Sequence, residues 1–266
     1  MLMGGLVAPA LVQQVHPGRK LERIGLQLYT VRKLMARSVP DTLRLVAQLG
    51  YREVEFAGYF NHAPAEIRAM LDEVGLEAPG VHLPRKAFEK QIDTVFDAAS
   101  VIGHRYLILP WIASEERQTP DDYKRLAAWM NRTGEICKKA GFQFAYHNHD
   151  FEMIPLEGVR PYDILLQETD PTLVAMEMDL YWTVYGGADP MTYFQRYLGR
   201  FPLCHVKDMT SDRKMVDVGE GQIPFARIFA HAEQAGLKHY FVEHDNPEDP
   251  AESIRKSYTY LANLRF

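Results

Sequence analysis

The sequence predicts an α/β protein, a single-domain (β/α)8 barrel, and three observations carry that expectation. Eight short apolar runs alternate with eight longer stretches of helical periodicity, the pattern of a parallel sheet with helices outside it. The rhythm holds from about residue 23 to the end of the 266-residue chain with no linker or composition shift, a span close to the roughly 250 residues typical of such a barrel. A doubly wound open sheet is the alternative. Its dinucleotide fingerprint is missing, because the turn after the first strand, Tyr29-Thr-Val-Arg32, carries no glycine.

The elements follow in order. Residues 24–29 and 52–56 read as the first two strands, with a helix at 38–49 between them; Ser38 or Asp41 caps that helix and Gly50 lies just past its end. A helix at 64–74 closed by Gly75 leads to a strand at 78–83. A helix at 88–102 stopped by Gly103 leads to a strand at 105–109, which Pro110 ends. A long helix at 121–140, stopped by Gly141, precedes the strand at 142–147. The second half repeats the alternation: helix 160–168, strand 173–179, helix 189–198 with Gly199 after it, strand 202–207, helix 224–235 with Gly236 after it, strand 239–243 and helix 250–264.

Before the barrel, residues 1–22 form a leader and linker. Residues 1–12 are small and apolar and 13–20 polar, which reads either as the remnant of an export signal or as a disordered leader, the first being preferred. We therefore expect a periplasmic or exported protein. The leader is too short to span a membrane as a helix. The composition, 47% hydrophobic and 24% charged with a net charge of −5, is that of a globular protein and argues against a nucleic-acid or anionic-membrane partner. Cys137 and Cys204 belong to no metal-type spacing and are expected as buried free thiols.

In a (β/α)8 barrel the active site gathers at the C-terminal ends of the strands. The polar residues expected there are Glu55, His82, His147 and His149, Glu177 and Asp179, His205, Lys207 and Asp208, and Glu243, His244 and Asp245. Strand alternation puts His147 and His149 on one side, where they can bind a metal or move protons. Each residue also has a plainer role open to it. Glu55 can pair with Lys207 across the barrel, His82 can donate to a backbone carbonyl, Asp179 can cap the turn before Tyr181, and Glu243 can sit at a helix N-terminus. Taken together on successive strand ends they mark a site. So many ionisable groups in one ring need partners, and a divalent cation is an economical one.

The segments Ile24-Gly-Leu-Gln-Leu-Tyr-Thr-Val-Arg32, Gly50-Tyr-Arg-Glu-Val-Glu-Phe56, Tyr146-His-Asn-His149, Met178-Asp-Leu-Tyr-Trp182, His205-Val-Lys-Asp208, Gly219-Glu-Gly221 and Val242-Glu-His244 carry a resemblance. From about residue 24 to 264 the chain resembles the sugar phosphate isomerase/epimerase family, the xylose-isomerase-like TIM barrels. The resemblance implies one divalent ion, often manganese, with magnesium, cobalt or zinc as alternatives. Its implied ligands, by position, are His147, Asp179, His205 and Glu243. At strand five many epimerases of this group carry a glutamate that also serves as an acid/base group; His147 stands there in this chain, as in the similarly His-rich inositol-keto dehydratases. Glu152 reaching back from the loop is another candidate for that role.

The expected function is a metal-dependent isomerase or epimerase that removes a proton beside the carbonyl of a keto-sugar or keto-polyol to give a metal-bound enediolate. Glu243 or His149 is the candidate base, and Lys207 would stabilise the developing charge. Glu55, His82, Glu177, Trp111 and Trp182 are the expected substrate contacts, with Tyr29, Phe56 and Tyr181 as further candidates for stacking on a sugar ring. The same first step serves a dehydratase or lyase acting on a keto-inositol or 3-keto-glycoside. A hydrolytic metalloenzyme and a non-catalytic sugar-binding barrel are the competing readings. Gly219-Glu-Gly221 is a turn carrying a carboxylate and a poor phosphate cradle, so the substrate is expected to be a non-phosphorylated small carbohydrate. The sequence is compatible with a homo-oligomer.

Overall fold

The structure, a computed structural model, describes residues 18–266. The export-type leader lies outside the described residues as far as residue 17. Eight parallel strands close into a barrel: β1 Gly25–Gln27, β2 Glu53–Phe56, β3 Glu77–His82, β4 Tyr106–Leu109, β5 Gln143–His147, β6 Val174–Asp179, β7 Leu203–Val206 and β8 His239–Val242. Neighbours in sequence are neighbours in the sheet, and β1 closes the ring by pairing with β8, Gly25 opposite Phe241.

Local chemistry starts and stops the helices between strands. The helix Val39–Leu49 is capped by Ser38, whose Oγ accepts from Asp41 N, and Pro40 fills its first turn. The helix Pro64–Val74 ends at Gly75, whose φ of +69° is left-handed backbone that glycine adopts without strain. Several regions depart from the pattern read in the sequence. The helix expected over 88–102 is two, Arg85–Lys90 and Ile92–Ile102, hinged at Gln91. The helix expected over 224–235 is also two, Phe225–Phe229 and Ala232–Ala235. An extra short helix, Leu180–Tyr185, follows β6 directly, and a small antiparallel ribbon, Asp208–Met209 with Met215–Val216, follows β7. Both additions lie on the C-terminal face of the barrel.

The main core lies between barrel and helices, with Leu26, Val54, Phe144, Val206, Phe194 and Phe229 fully buried. A second apolar layer fills the barrel itself: Tyr106, Ile108, Ala145, Ala175, Leu203 and Phe241. Strand alternation then fixes what stands above it. Two residues on from Ala145, Ala175, Leu203 and Phe241 come His147, Glu177, His205 and Glu243. The apolar layer is thus a floor and the ionisable residues sit on it. Cys137 and Cys204 are buried free thiols, and among the described residues no helix is long and apolar enough to cross a membrane.

Candidate metal and active site

Two groups of ionisable side chains stand on that floor, joined by His205. In the upper group, His147, Asp179, His205 and Glu243 each bring one donor atom to within 4.8 Å of the other three. The buried atoms His147 Nε2, Asp179 Oδ2, His205 Nδ1 and Glu243 Oε2 make no hydrogen bond. Some lie close, His205 Nδ1 at 2.7 Å from Glu243 Oε2 and His147 Nε2 at 3.4 Å from Asp179 Oδ2, without the alignment a hydrogen bond needs. Four buried donors aimed at one point, none of them hydrogen-bonded and two of them, Asp179 Oδ2 and Glu243 Oε2, ion-paired with Lys207 Nζ, fit a divalent cation, and two imidazoles with two carboxylates suit Mn, Zn or Co chemistry.

The strand ends hold these donors in place. His147 Nδ1 lies 3.3 Å from the Pro110 carbonyl, which leaves Nε2 as the free donor. Asp179 uses Oδ1 to cap the helix Leu180–Tyr185 through Trp182 N at 2.9 Å, which turns Oδ2 toward the other donors. Asn148 supports the same residue, its Oδ1 accepting from Asp179 N at 3.1 Å.

In the lower group, Glu55 and Glu177 face His82 and His205. Glu55 Oε2 lies 2.7 Å from His205 Nε2 and 3.0 Å from His82 Nε2; Glu177 Oε2 lies 3.3 and 2.8 Å from the same atoms. The pairing of Glu55 with Lys207 considered from sequence does not form, because Lys207 is engaged elsewhere. Its Nζ lies 3.0 Å from Asp179 Oδ2, 2.8 Å from Glu243 Oε2 and 2.8 Å from Asp245 Oδ1. Nor does His82 turn to a backbone carbonyl; Glu177 holds it.

Charge sets the protonation states. Burial alone would depress His82, but Glu55 and Glu177 outweigh it and hold the imidazole up at about 9. His205 is likewise raised against the cost of burial by Glu177 and Glu243. Burial would raise Glu243 and Asp179, yet Lys207 and the imidazoles bring both below the usual carboxylate range. His149 has no carboxylate partner: burial, aided by His147 and Lys207, pushes it down to about 2, so its imidazole is neutral.

A pocket of about 690 Å³ opens above this cluster. Of the residues singled out in the sequence, His82, Trp111, His147, His149, Lys207, Glu243 and Asp245 line it, together with Tyr29. Asp179 and His205 lie beneath its wall, fully buried. Glu55 and Glu177 are also fully buried and do not line it; they reach the imidazoles rather than the cavity. Trp182 sits beside the pocket, its ring 5.7 Å from Lys207 Nζ and 5.7 Å from the His149 ring. Phe56 is buried against Tyr59 and His104, outside the site. Glu152 is buried, bonds the Tyr146 hydroxyl and accepts from His149 N at 2.7 Å; it braces the loop after β5. Asp208 accepts from the backbone N–H groups of Met209, Gly219, Gly221 and Ile223 and so builds the Gly219-Glu-Gly221 turn.

Sequence reasoning assigned no role to Gln27, Asn148 and the Lys207–Asp245 pair. Gln27 donates to Glu55 Oε2 at 2.6 Å; alternation along β1 could have placed it inside the barrel. Asn148 gave no signal beyond lying between two histidines.

Comparison with known proteins agrees with this architecture. Residues 43–264 match the family model described as a xylose isomerase-like TIM barrel. The chain is 27% identical over 260 residues to inosose dehydratase of Geobacillus kaustophilus, covering 83% of each. It is 27% identical to a crystal structure of a sugar phosphate isomerase/epimerase from Parabacteroides distasonis, with a TM-score of 0.80 over 91% of this chain and 96% of that one. A structure of the IolI protein with a bound zinc atom shares the fold at a TM-score of 0.70 and 15% identity, over 89% of this chain and 95% of that one. The chain belongs to the xylose isomerase-like TIM barrel family.

Proposed function

We propose that the protein is a divalent-metal-dependent enzyme acting on a keto-polyol or keto-sugar, and that it removes a proton beside the carbonyl and then expels a neighbouring hydroxyl as water. The observation that carries this reading is the convergence of four buried donors that make no hydrogen bond, His147 Nε2, Asp179 Oδ2, His205 Nδ1 and Glu243 Oε2, under a pocket of carbohydrate size. A divalent ion held by His147, Asp179, His205 and Glu243 would supply Lewis acidity to the substrate carbonyl.

The chain's own groups supply the proton chemistry. Glu243, kept ionised by Lys207 and His205, faces the pocket and takes the proton. Lys207 places an ammonium 2.8 Å from that carboxylate, where it stabilises charge growing on the substrate oxygen. The protonated Glu243 can then return its proton to the departing hydroxyl on the same face. This favours dehydration over epimerisation. Epimerisation needs a proton delivered to the opposite face, and the β5 side of the pocket offers the neutral imidazole of His149, not a second carboxylate. The name of the Geobacillus relative supports the same branch.

Isomerisation or epimerisation of a keto-sugar is the second reading. It is favoured by the Parabacteroides structure and uses the same first step, with His149 as the second proton carrier. The separating experiment incubates the manganese-loaded protein with a keto-inositol and a panel of keto-sugars in deuterated water and follows C–H signals by NMR. Metal-dependent exchange with loss of water, abolished in Glu243→Gln, is expected. Exchange without loss of water would move the assignment to isomerisation. No exchange with any substrate would overturn both.

A further inference from the structure

Three members of the lower group of ionisable side chains, Glu55, His82 and Glu177, have no part in the chemistry just described, yet the group is built with care. Glu55 comes from β2, His82 from β3, Glu177 from β6 and His205 from β7, so four strands around the barrel meet at one point. Each carboxylate lies 2.7 to 3.3 Å from both imidazole Nε2 atoms. The rings of His82 and His205 stack at 5.2 Å with planes 17° apart. Gln27 tethers Glu55 from β1. Gly80, paired with Glu55 across β2 and β3, leaves the space the carboxylate fills; a Cβ there would lie 2.6 Å from Glu55 Oε1.

An imidazole that binds a cation through one nitrogen needs the other to keep its proton and to have an acceptor for it. His205 Nδ1 is one of the four unsatisfied donors, and its Nε2 is the atom that Glu55 and Glu177 hold. We propose that Glu55, seconded by Glu177, is a positioning residue for the metal: it fixes the proton of His205 on Nε2 and the ring in its plane, so that Nδ1 is presented as a ligand. This inference rests on the metal-site reading above and is independent of the sugar and of the reaction branch. It gives Glu55 and Glu177 a role that does not need contact with substrate, in keeping with their burial beneath the pocket. The four residues also satisfy the spacing of a cation site in their own right. In the lower group His82 Nε2 is already hydrogen-bonded to Glu177 Oε2 and His205 Nε2 to Glu55 Oε2, whereas the four upper donor atoms make no hydrogen bond, and this difference favours the positioning role.

Two variants test this in the full-length protein. Glu55→Gln removes the charge and keeps the shape. Gly80→Ala touches no ligand and needs no unusual backbone, but its methyl displaces the end of the Glu55 side chain. Divalent-ion affinity is read by competition with a chelating dye, using zinc, manganese and cobalt separately, and fold integrity by melting of the metal-free forms. Each variant should bind one ion roughly ten- to a hundredfold more weakly, with metal-free melting near that of the wild type for Gly80→Ala. In the cobalt form, the wild type should show a paramagnetically shifted, slowly exchanging imidazole N–H from His205 that exchanges rapidly in Glu55→Gln. Unchanged affinity in both variants would overturn the positioning role while leaving the upper site intact. Two ions per wild-type chain, one of them lost in Glu55→Gln, would overturn it in favour of a second cation site. A wild type that binds no divalent ion would overturn this inference and the metal reading together.

Discussion

The ammonium of Lys207 lies 2.8 Å from Oε2 of Glu243, one of the four donor atoms that converge at the top of the barrel. It lies 3.0 Å from a second of them, Asp179 Oδ2. On the proposed metal reading, lysine and a divalent ion would share the same two carboxylates. Breaking a buried ion pair by removing one partner costs about 3–5 kcal/mol, so Lys207→Met should lower the melting temperature of the metal-free protein strongly. Manganese should then restore more stability to Lys207→Met than to the wild type, since the ion replaces the missing charge. Scanning calorimetry with chelator and with manganese measures both. Equal metal-induced shifts in the two proteins would show that lysine and ion do not share these oxygens.

Metal removal should itself be visible in stability. An ion present at about 100 times its dissociation constant adds about 2.7 kcal/mol, which for a domain of this size is a shift of roughly 5–10 °C. A chelator should remove that increment from the wild type. Asp179→Asn is the informative variant. Asparagine keeps an Oδ1 to cap Trp182 N, so the helix Leu180–Tyr185 survives, while the ligating Oδ2 is lost. Its melting temperature should be insensitive to manganese; a full metal response would remove Asp179 from the ligand set.

The ring of site residues could be read from the chain because two simple rules overlap. Side chains alternate along a strand, and a (β/α)8 barrel works at its C-terminal strand ends. His147, Asp179, His205 and Glu243 follow from those rules without any knowledge of contacts. The division of the ring into two groups does not follow from them. Glu55 and His205 are 150 residues apart in sequence and meet only because the barrel closes, and nothing local to β2 tells Glu55 to choose His205 over Lys207. The helix Leu180–Tyr185 was hidden by its composition: Leu-Tyr-Trp-Thr-Val-Tyr has no helical periodicity and is held by the Asp179 cap and packing on the barrel. The hinge at Gln91 was hidden for the opposite reason, since the apolar spacing carries through both short helices.

Gly134 offers a test in which two effects oppose each other. It lies inside the long helix Pro120–Lys139, where alanine would be favoured by about 1 kcal/mol on propensity. A Cβ at this position would sit 2.6 Å from the Leu173 carbonyl oxygen and 3.0 Å from its carbon. That obstacle is backbone entering β6 and cannot rotate away. Overpacking of this kind costs about 1–3 kcal/mol; set against the propensity gain of about 1 kcal/mol, it should leave Gly134→Ala about 0–2 kcal/mol less stable than wild type in urea unfolding. A stabilised variant would mean that this helix can slide on the barrel.

His104 should make the fold sensitive to acid at a point away from the site. Its Nδ1 lies 2.6 Å from the Ala78 carbonyl, to which it donates, and its Nε2 lies 3.1 Å from the Tyr59 hydroxyl, from which it can accept. Both nitrogens are thus satisfied in the neutral ring, and protonation would place a positive charge in a buried site whose partners are neutral. Burial depresses the imidazole to about 4 from its ordinary 6.5. The folded protein then binds this proton more weakly than the unfolded chain. The stabilisation is complete above pH 6.5, declines as the pH falls toward about 4, and is gone below that. Two and a half pH units correspond to about 3 kcal/mol at most. Carboxylates elsewhere also contribute to acid unfolding, so the measurement is a difference. His104→Asn keeps a donor for the Ala78 carbonyl but does not titrate. Between pH 7 and 4.5 the wild type should lose about 2–3 kcal/mol more than His104→Asn in urea unfolding. Parallel losses would mean that His104 is already protonated, or free to become so, in the folded state.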